Sequence, residues 1–155
     1  MARVTAVGGG FLLAVLWMDL MFDVQAWRLG VGPAADAAVV ASIATYYRRV
    51  TTDAFPMNRL IAVVMLVTLV AAGWRVWRAR RRRGLHAAAF ALAAGPIALA
   101  VVRVVPAAVH LGSAADTVPA QAALARAILR DHLACLGAIL GFTVLQLCLG
   151  DDPGP

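Results

Sequence analysis

The last long apolar run, Leu133 to Leu149, constrains this chain more than any other feature. Seventeen residues pass without a formal charge, directly after a compact polar head of Arg126, Arg130, Asp131 and His132. An α-helix crosses the ~30 Å hydrocarbon layer of a bilayer with ~20 mostly apolar residues, so the run and its head are long enough to span, with the ionisable groups gathered at one end. Three further apolar runs precede it. With 63% hydrophobic residues and a mean hydropathy of +0.83, the chain carries more apolar surface than a soluble domain of this size can hide. The pattern predicts an all-α integral membrane four-helix bundle forming one transmembrane domain, 1–155. The spans fall over residues 6–27, 57–74, 85–105 and 122–149.

The connections differ in character. Gly30, Gly32 and Pro33 break the first helix, after which Asp36 can cap an amphipathic helix over residues 37–52 in the first outer loop. Its end, Tyr46-Tyr47-Arg48-Arg49, suits the headgroup level, where rings and guanidinium groups both find partners. Pro96 interrupts the third span, and Pro106 to Pro119 reads as a loop carrying His110, Ser113 and Asp116. The first apolar stretch runs into Asp19 and Asp23 without a small-residue cleavage site, which predicts a retained helix rather than a signal peptide.

All fourteen basic residues are arginine and all eight acids are aspartate, and six of the arginines fall between Arg75 and Arg83. Placed beside a span, that run is a topology signal holding the second connection in the cytoplasm. The net charge of +6 is thereby accounted for without a nucleic-acid partner. Both termini are then cytoplasmic, and the composition is that of a GC-rich bacterial gene, so the expected location is the bacterial inner membrane. Cys135 and Cys148 lie thirteen apart on one predicted helix and cannot bridge.

On this topology Asp19, Asp23, Asn58, Arg103 and His132 share one layer near the outer face. Charged groups at that depth cost a few kcal/mol unless they face one another. Asp19 and Asp23, four apart, share a helical face, and a carboxylate opposite the Arg103 guanidinium is a natural pair. The pairing either closes the end of the bundle or serves chemistry. Arg130, Ala134, Gly137 and Gly141 form a small-residue face suited to close helix packing, including a homo-oligomer contact. His132 lies nearly opposite with Cys135 and Ile139, and spacing leaves open which of Arg130 and His132 faces a cavity. Asp19, Asp23, His110 and His132 are chemically able to hold a metal. The sequence has no His-x-x-x-His or Glu-x-x-His spacing, however, and nearby arginines oppose a cation, so no metal or other cofactor is expected. His110 otherwise reads as a surface residue, His86 as interfacial and the tryptophans as interface anchors.

Tyr-Tyr-Arg-Arg-Val ahead of Phe55-Pro56-Met57-Asn58-Arg59-Leu60, Arg103 late in the third span and Arg130-Asp131-His132 heading the fourth together resemble the anthrone oxygenase-like (DUF1772) integral membrane family. The resemblance covers most of the chain. It implies oxidation of an activated methylene of a phenolic, polyketide-type ring system to a ketone, with dioxygen as co-substrate and no flavin or haem. It also points to Asn58, Arg103 and His132 as the polar set. In that scheme His132 or Asp19 takes a proton, Arg103 and Asn58 hold the enolate oxygen, and Asp23, Tyr47, Arg130 and His110 contact the substrate. Loss of Arg103 should then abolish turnover. The competing expectation is a non-catalytic subunit that binds or exports a hydrophobic metabolite from the lipid bilayer.

Overall fold

A computed structural model of the protein describes residues 1–30 and 36–150; the expected helix break at Gly32 and Pro33 lies outside them. Six α-helices and no strand occur among the described residues: α1 (Ala2–Asp23), α2 (Ala37–Arg48), α3 (Met57–Arg78), α4 (Arg83–Leu99), α5 (Val105–Gly112) and α6 (Val118–Leu149). A 3-10 stretch, Val24–Arg28, extends α1, and π-helical turns follow α2 (Arg49–Asp53) and join α4 to α5 (Ala100–Val104).

Four segments are long and apolar enough to cross a membrane, namely Ala2–Arg28, Met57–Arg78, Arg83–Gly112 and Val118–Leu149. Helix α1 packs against α3 and α6, and α4 packs against the same two. The bundle therefore runs α1, α3, α4, α6 around a square with neighbours antiparallel. Its outward faces are apolar: Val63, Leu66, Val70 and Trp77 on α3, and Leu140, Val144 and Leu147 on α6, are all exposed. Such faces are stable against lipid and not against water, which makes this a multi-pass membrane protein.

The interior is built from small side chains and a few branched ones. Leu12, Ile97 and Ile139 meet at mid-bundle, while Ala72, Ala89 and Ala93 surround Phe142. Close approach of α1 to α3 depends on Gly8, where an added Cβ would lie 2.2 Å from Thr68 Oγ1. Of the small-residue face expected from its spacing to pack tightly, only Gly141 meets another helix of this chain, at Leu92 of α4. Arg130, Ala134 and Gly137 are exposed, and a Cβ at Gly137 would meet nothing within 4 Å. At the end bearing Arg80 to Arg83, Thr5 Oγ1 bonds Gln146 Oε1 at 2.9 Å and Arg75 donates to the Gly150 carbonyl.

Helix α2 lies across the opposite end. Asp36 caps it as its position suggested, accepting from the backbone N–H of Ala38 at 2.9 Å and of Val39 at 3.3 Å, which satisfies two otherwise unpaired donors of the first turn. Its apolar positions Val40, Ile43, Ala44 and Tyr47 join Ala108, Leu111, Ala122 and Ala125 in one buried cluster. Gly112 seats α5 directly on this helix. A Cβ there would come within 2.7 Å of the Arg48 backbone nitrogen, and backbone cannot give way as a side-chain tip can.

Two elements depart from the sequence reading. The expected loop from Pro106 to Pro119 is mostly helix. Pro106 and Pro119 each sit in the first turn of their helices, where the missing N–H has no intrahelical partner to lose, so the true connection is only residues 113–117. The third span also continues past its expected end through the π turn at Ala100–Val104. Pro106 cannot donate to the carbonyl four residues back and its ring crowds it. A wider turn shifts the hydrogen-bond register at that point.

Candidate functional site

Asp19 and Asp23 occupy successive turns at the end of α1 and point into the bundle, as their spacing requires. His132 reaches between them from α6. Its Nδ1 lies 2.6 Å from Asp23 Oδ2, and its Nε2 lies 3.9 Å from Asp19 Oδ2. Helix α2 supplies the remaining partners, with Tyr47 Oη donating to Asp23 Oδ1 at 2.5 Å and Tyr46 Oη donating to Asp19 Oδ1 at 2.6 Å. Five side chains from three elements thus form one continuous polar network. Asp23 is fully buried and His132 is 5% exposed, whereas the Asp19 side chain retains 18% of its accessible surface.

Asp23 is bonded on both oxygens, by the Tyr47 hydroxyl at Oδ1 and by His132 Nδ1 at Oδ2. The imidazole is thereby held in one orientation, with Nε2 turned toward Asp19. Both phenols are donors. Burial, followed by the hydrogen bond and charge of Asp19, pushes Tyr46 above the ordinary phenol range. Burial and then the Asp23 charge do the same to Tyr47. Neither tyrosine releases its proton to solution near neutral pH. A carboxylate-oriented imidazole facing a second, partly accessible carboxylate is an arrangement for moving one proton across a short, water-poor gap.

Beside this network lies a groove of about 390 Å³, lined by Phe22, Ala38, Ala41, Ser42, Thr45, Tyr46 and Arg49. Tyr46 belongs to both groove and network. Its ring stacks on Phe22 with centroids 3.9 Å apart and planes 11° from parallel.

Of the eight sequence candidates, Asp19, Asp23, Tyr47 and His132 come together, and the other four do not. Arg103 turns to the flank of the bundle, 56% exposed, and pairs with Asp131 at 3.2 Å, not with either aspartate of α1. Asn58 is occupied at the entrance of α3, donating to the Thr51 carbonyl of the preceding π turn at 3.3 Å and accepting from the Arg59 backbone at 2.7 Å. His110 lies on α5 and pairs with Asp116 at 2.6 Å. Arg130 is exposed, so of the two candidates heading α6 it is His132 that faces inward. The enolate-holding role assigned to Arg103 and Asn58 therefore has no counterpart in this geometry. Tyr47, expected at the headgroup level, is 2% exposed. Tyr46 is a site residue that sequence reasoning missed; two adjacent tyrosines matched to two aspartates one helical turn apart were the available signal. Among the described residues no group of three metal-ligating side chains is placed to hold an ion. Comparison with known proteins finds no match, in family models, curated proteins or solved structures.

Proposed function

We propose that the protein is a membrane-embedded enzyme that abstracts a proton from an activated C–H of an apolar phenolic metabolite, as a cofactor-independent oxygenase or a related isomerase. One observation carries this reading: His132 is anchored by Asp23 through Nδ1 while Nε2 faces the partly accessible Asp19 across 3.9 Å. Asp19 is the base that meets substrate. A side-chain shift of about 1 Å brings its oxygen within hydrogen-bond reach of Nε2, and the proton passes on to form an imidazolium whose charge Asp23 balances. Tyr47 fixes Asp23, and Tyr46 fixes Asp19.

The resulting carbanion has two outcomes. Reprotonation at another position is isomerisation, with the proton returned from His132 through Asp19. In oxygenation, as the family resemblance suggests, the methylene carbon loses two hydrogens and takes one atom of dioxygen as a ketone, the other leaving as water. The arginine-rich connection favours a cytoplasmic location for that end, which puts the network beneath the opposite membrane face, where an apolar molecule arrives from the leaflet.

Exchange of the methylene hydrogens of anthrone in deuterated water, without oxygen, tests proton abstraction separately from any oxidation. Protein in nanodiscs should accelerate exchange, and Asp19→Asn and His132→Ala should lower that rate by about 10²- to 10⁴-fold, the usual contribution of a positioned base. Oxygen uptake with a matching mass change in the product then distinguishes oxygenase from isomerase. Wild-type protein that accelerates neither process would leave binding or export of a hydrophobic metabolite as the better reading.

A further inference from the structure

Charge is segregated along the axis of the bundle. The six aspartates among the described residues lie toward the end that carries α2, while Arg3, Arg75, Arg78 and the run Arg80 to Arg83 gather at the other. All of these arginines except Arg75 are exposed. A basic run beside a span is accounted for by topology alone, but its surroundings are not. Arg78 lies over two indoles, its guanidinium carbon 5.0 Å from the Trp74 ring centre and 5.8 Å from that of Trp77, and the two rings meet at 4.8 Å. Two interface anchors thus hold one guanidinium at a fixed depth. Helix α4 begins at Arg83 with no side-chain cap and no acid in its first turn, so no described side chain supplies an anion there.

We propose that the turn between α3 and α4 binds an anionic phospholipid of the adjacent leaflet, with its phosphate on Arg78 and the arginines of the turn and an acyl chain along the exposed face of α3. Two features of one surface select a lipid. Leu66, Val70, Trp74 and Trp77, spaced three and four apart, form a continuous exposed apolar face that leads directly to Arg78. From Leu66 to Trp77 this face rises about 16 Å, close to half of the ~30 Å hydrocarbon layer. A soluble phosphate would use the arginines and leave the apolar track uncovered. A zwitterionic lipid would use the track but bring a cation of its own against the arginines. A lipid whose headgroup is net negative satisfies both. A guanidinium forms paired hydrogen bonds with phosphate oxygens and can do so while its face rests on an aromatic ring, as that of Arg78 does on Trp74 and Trp77. Basic clusters beside membrane spans recognise lipid headgroups by the same charge complementarity. This surface lies at the end of the bundle away from His132 and stands independently of the acid–base reading.

The test uses the full-length protein with Trp17→Phe and Trp27→Phe, both exposed positions, so that Trp74 and Trp77 are the remaining tryptophans. The protein is placed in phosphatidylcholine nanodiscs with a minor fraction of phosphatidylglycerol, and its fluorescence is read with one lipid at a time carrying brominated acyl chains, which quench an indole on contact. Compared at equal mole fraction, phosphatidylglycerol should occupy the tryptophan surface at least about fivefold more than phosphatidylcholine, the contribution of one arginine at a charged headgroup. Arg78→Gln should remove most of that preference. Arg3→Gln makes the same charge change at the same end of the bundle and should leave the preference within about twofold of its starting value, as expected where one fixed guanidinium and not the summed charge selects the lipid. Equal quenching by the two lipids, equal losses in Arg78→Gln and Arg3→Gln, or displacement of phosphatidylglycerol by inorganic phosphate would overturn the proposal. The second result would reduce the effect to diffuse surface charge, and the third would make this a free-phosphate site.

Discussion

Asp131 and His132 are consecutive on α6, yet their side chains leave the helix about 100° apart and enter opposite kinds of environment. His132 turns into the bundle, where two aspartates and two tyrosines enclose it and the Asp23 carboxylate is wholly buried. Asp131 turns to the flank and meets Arg103, whose guanidinium is more than half exposed. Each pair links α6 to another membrane span. Only the inner one is closed off from its surroundings, oriented through a second hydrogen bond, and backed by a group placed to receive a proton. A charge within an apolar run is thus a weak pointer to a site. What separates the two pairs is whether the helix roll delivers the group to the interior, where each added partner restricts it further and the low dielectric strengthens every contact.

The sharpest way to break this contrast is to remove its inner carboxylate. Asp23→Ala leaves His132 Nδ1 and the Tyr47 hydroxyl without their shared partner in a fully buried position. The expected cost is about 3–5 kcal/mol, as for breaking other buried pairs, read from thermal or denaturant unfolding in detergent. A loss below about 1 kcal/mol would place the Asp23–His132 pair in the same class as the flanking pair.

A smaller but cleaner reporter comes from the tyrosines, because the chain has only two and both bond to the aspartates of this network. Burial and the adjacent carboxylates hold both phenols above their ordinary range. The folded protein should therefore show no tyrosinate absorbance at about pH 11, where an unperturbed phenol with a pKa of about 10 is largely ionised. The sign of the linkage follows. With folded values raised above unfolded ones, the folded state keeps protons that the unfolded state gives up. This contribution to stability is complete below about pH 10 and declines as pH rises further. An ordinary tyrosine titration in the folded protein would show that the phenol–carboxylate bonds do not form.

Much of the architecture was legible from hydropathy and spacing, and the reasons are local. The four spans follow from apolar length, the Asp36 cap from its position before an apolar-periodic run, and the shared face of Asp19 and Asp23 from a four-residue interval. Half of the site candidates came together because a carboxylate pair and an imidazole at the same depth must find each other. The rest depended on contacts that no periodicity contains. The roll of α2, which turns Tyr46 and Tyr47 inward, is tied to the seating of its backbone against Gly112. Arg103 lies within a π turn between Pro96 and Pro106, where the hydrogen-bond register shifts and a regular α period no longer fixes a side chain's direction. Proline placement misled in the same way at α5, since a residue that ends one helix can equally begin the next.

Arg103 provides the finest discrimination, because resemblance to the oxygenase-like family puts it in the chemistry and the geometry puts it on the flank. Arg103→Gln removes the charge but keeps a donor toward Asp131, so the stability change should be at most about 1 kcal/mol, in line with exposed ion pairs. Proton exchange in the bound methylene should stay within about twofold of wild type, since the guanidinium bonds Asp131, whose side chain leaves α6 about 100° from that of His132 and toward the flank. The two measurements must be taken together. A stable variant with normal exchange confines the site to the network around His132. A stable variant whose exchange falls a hundredfold would mean that the working centre extends around α6 to the flank, and the distinction between its two adjacent charged residues would be one of accessibility, not of role.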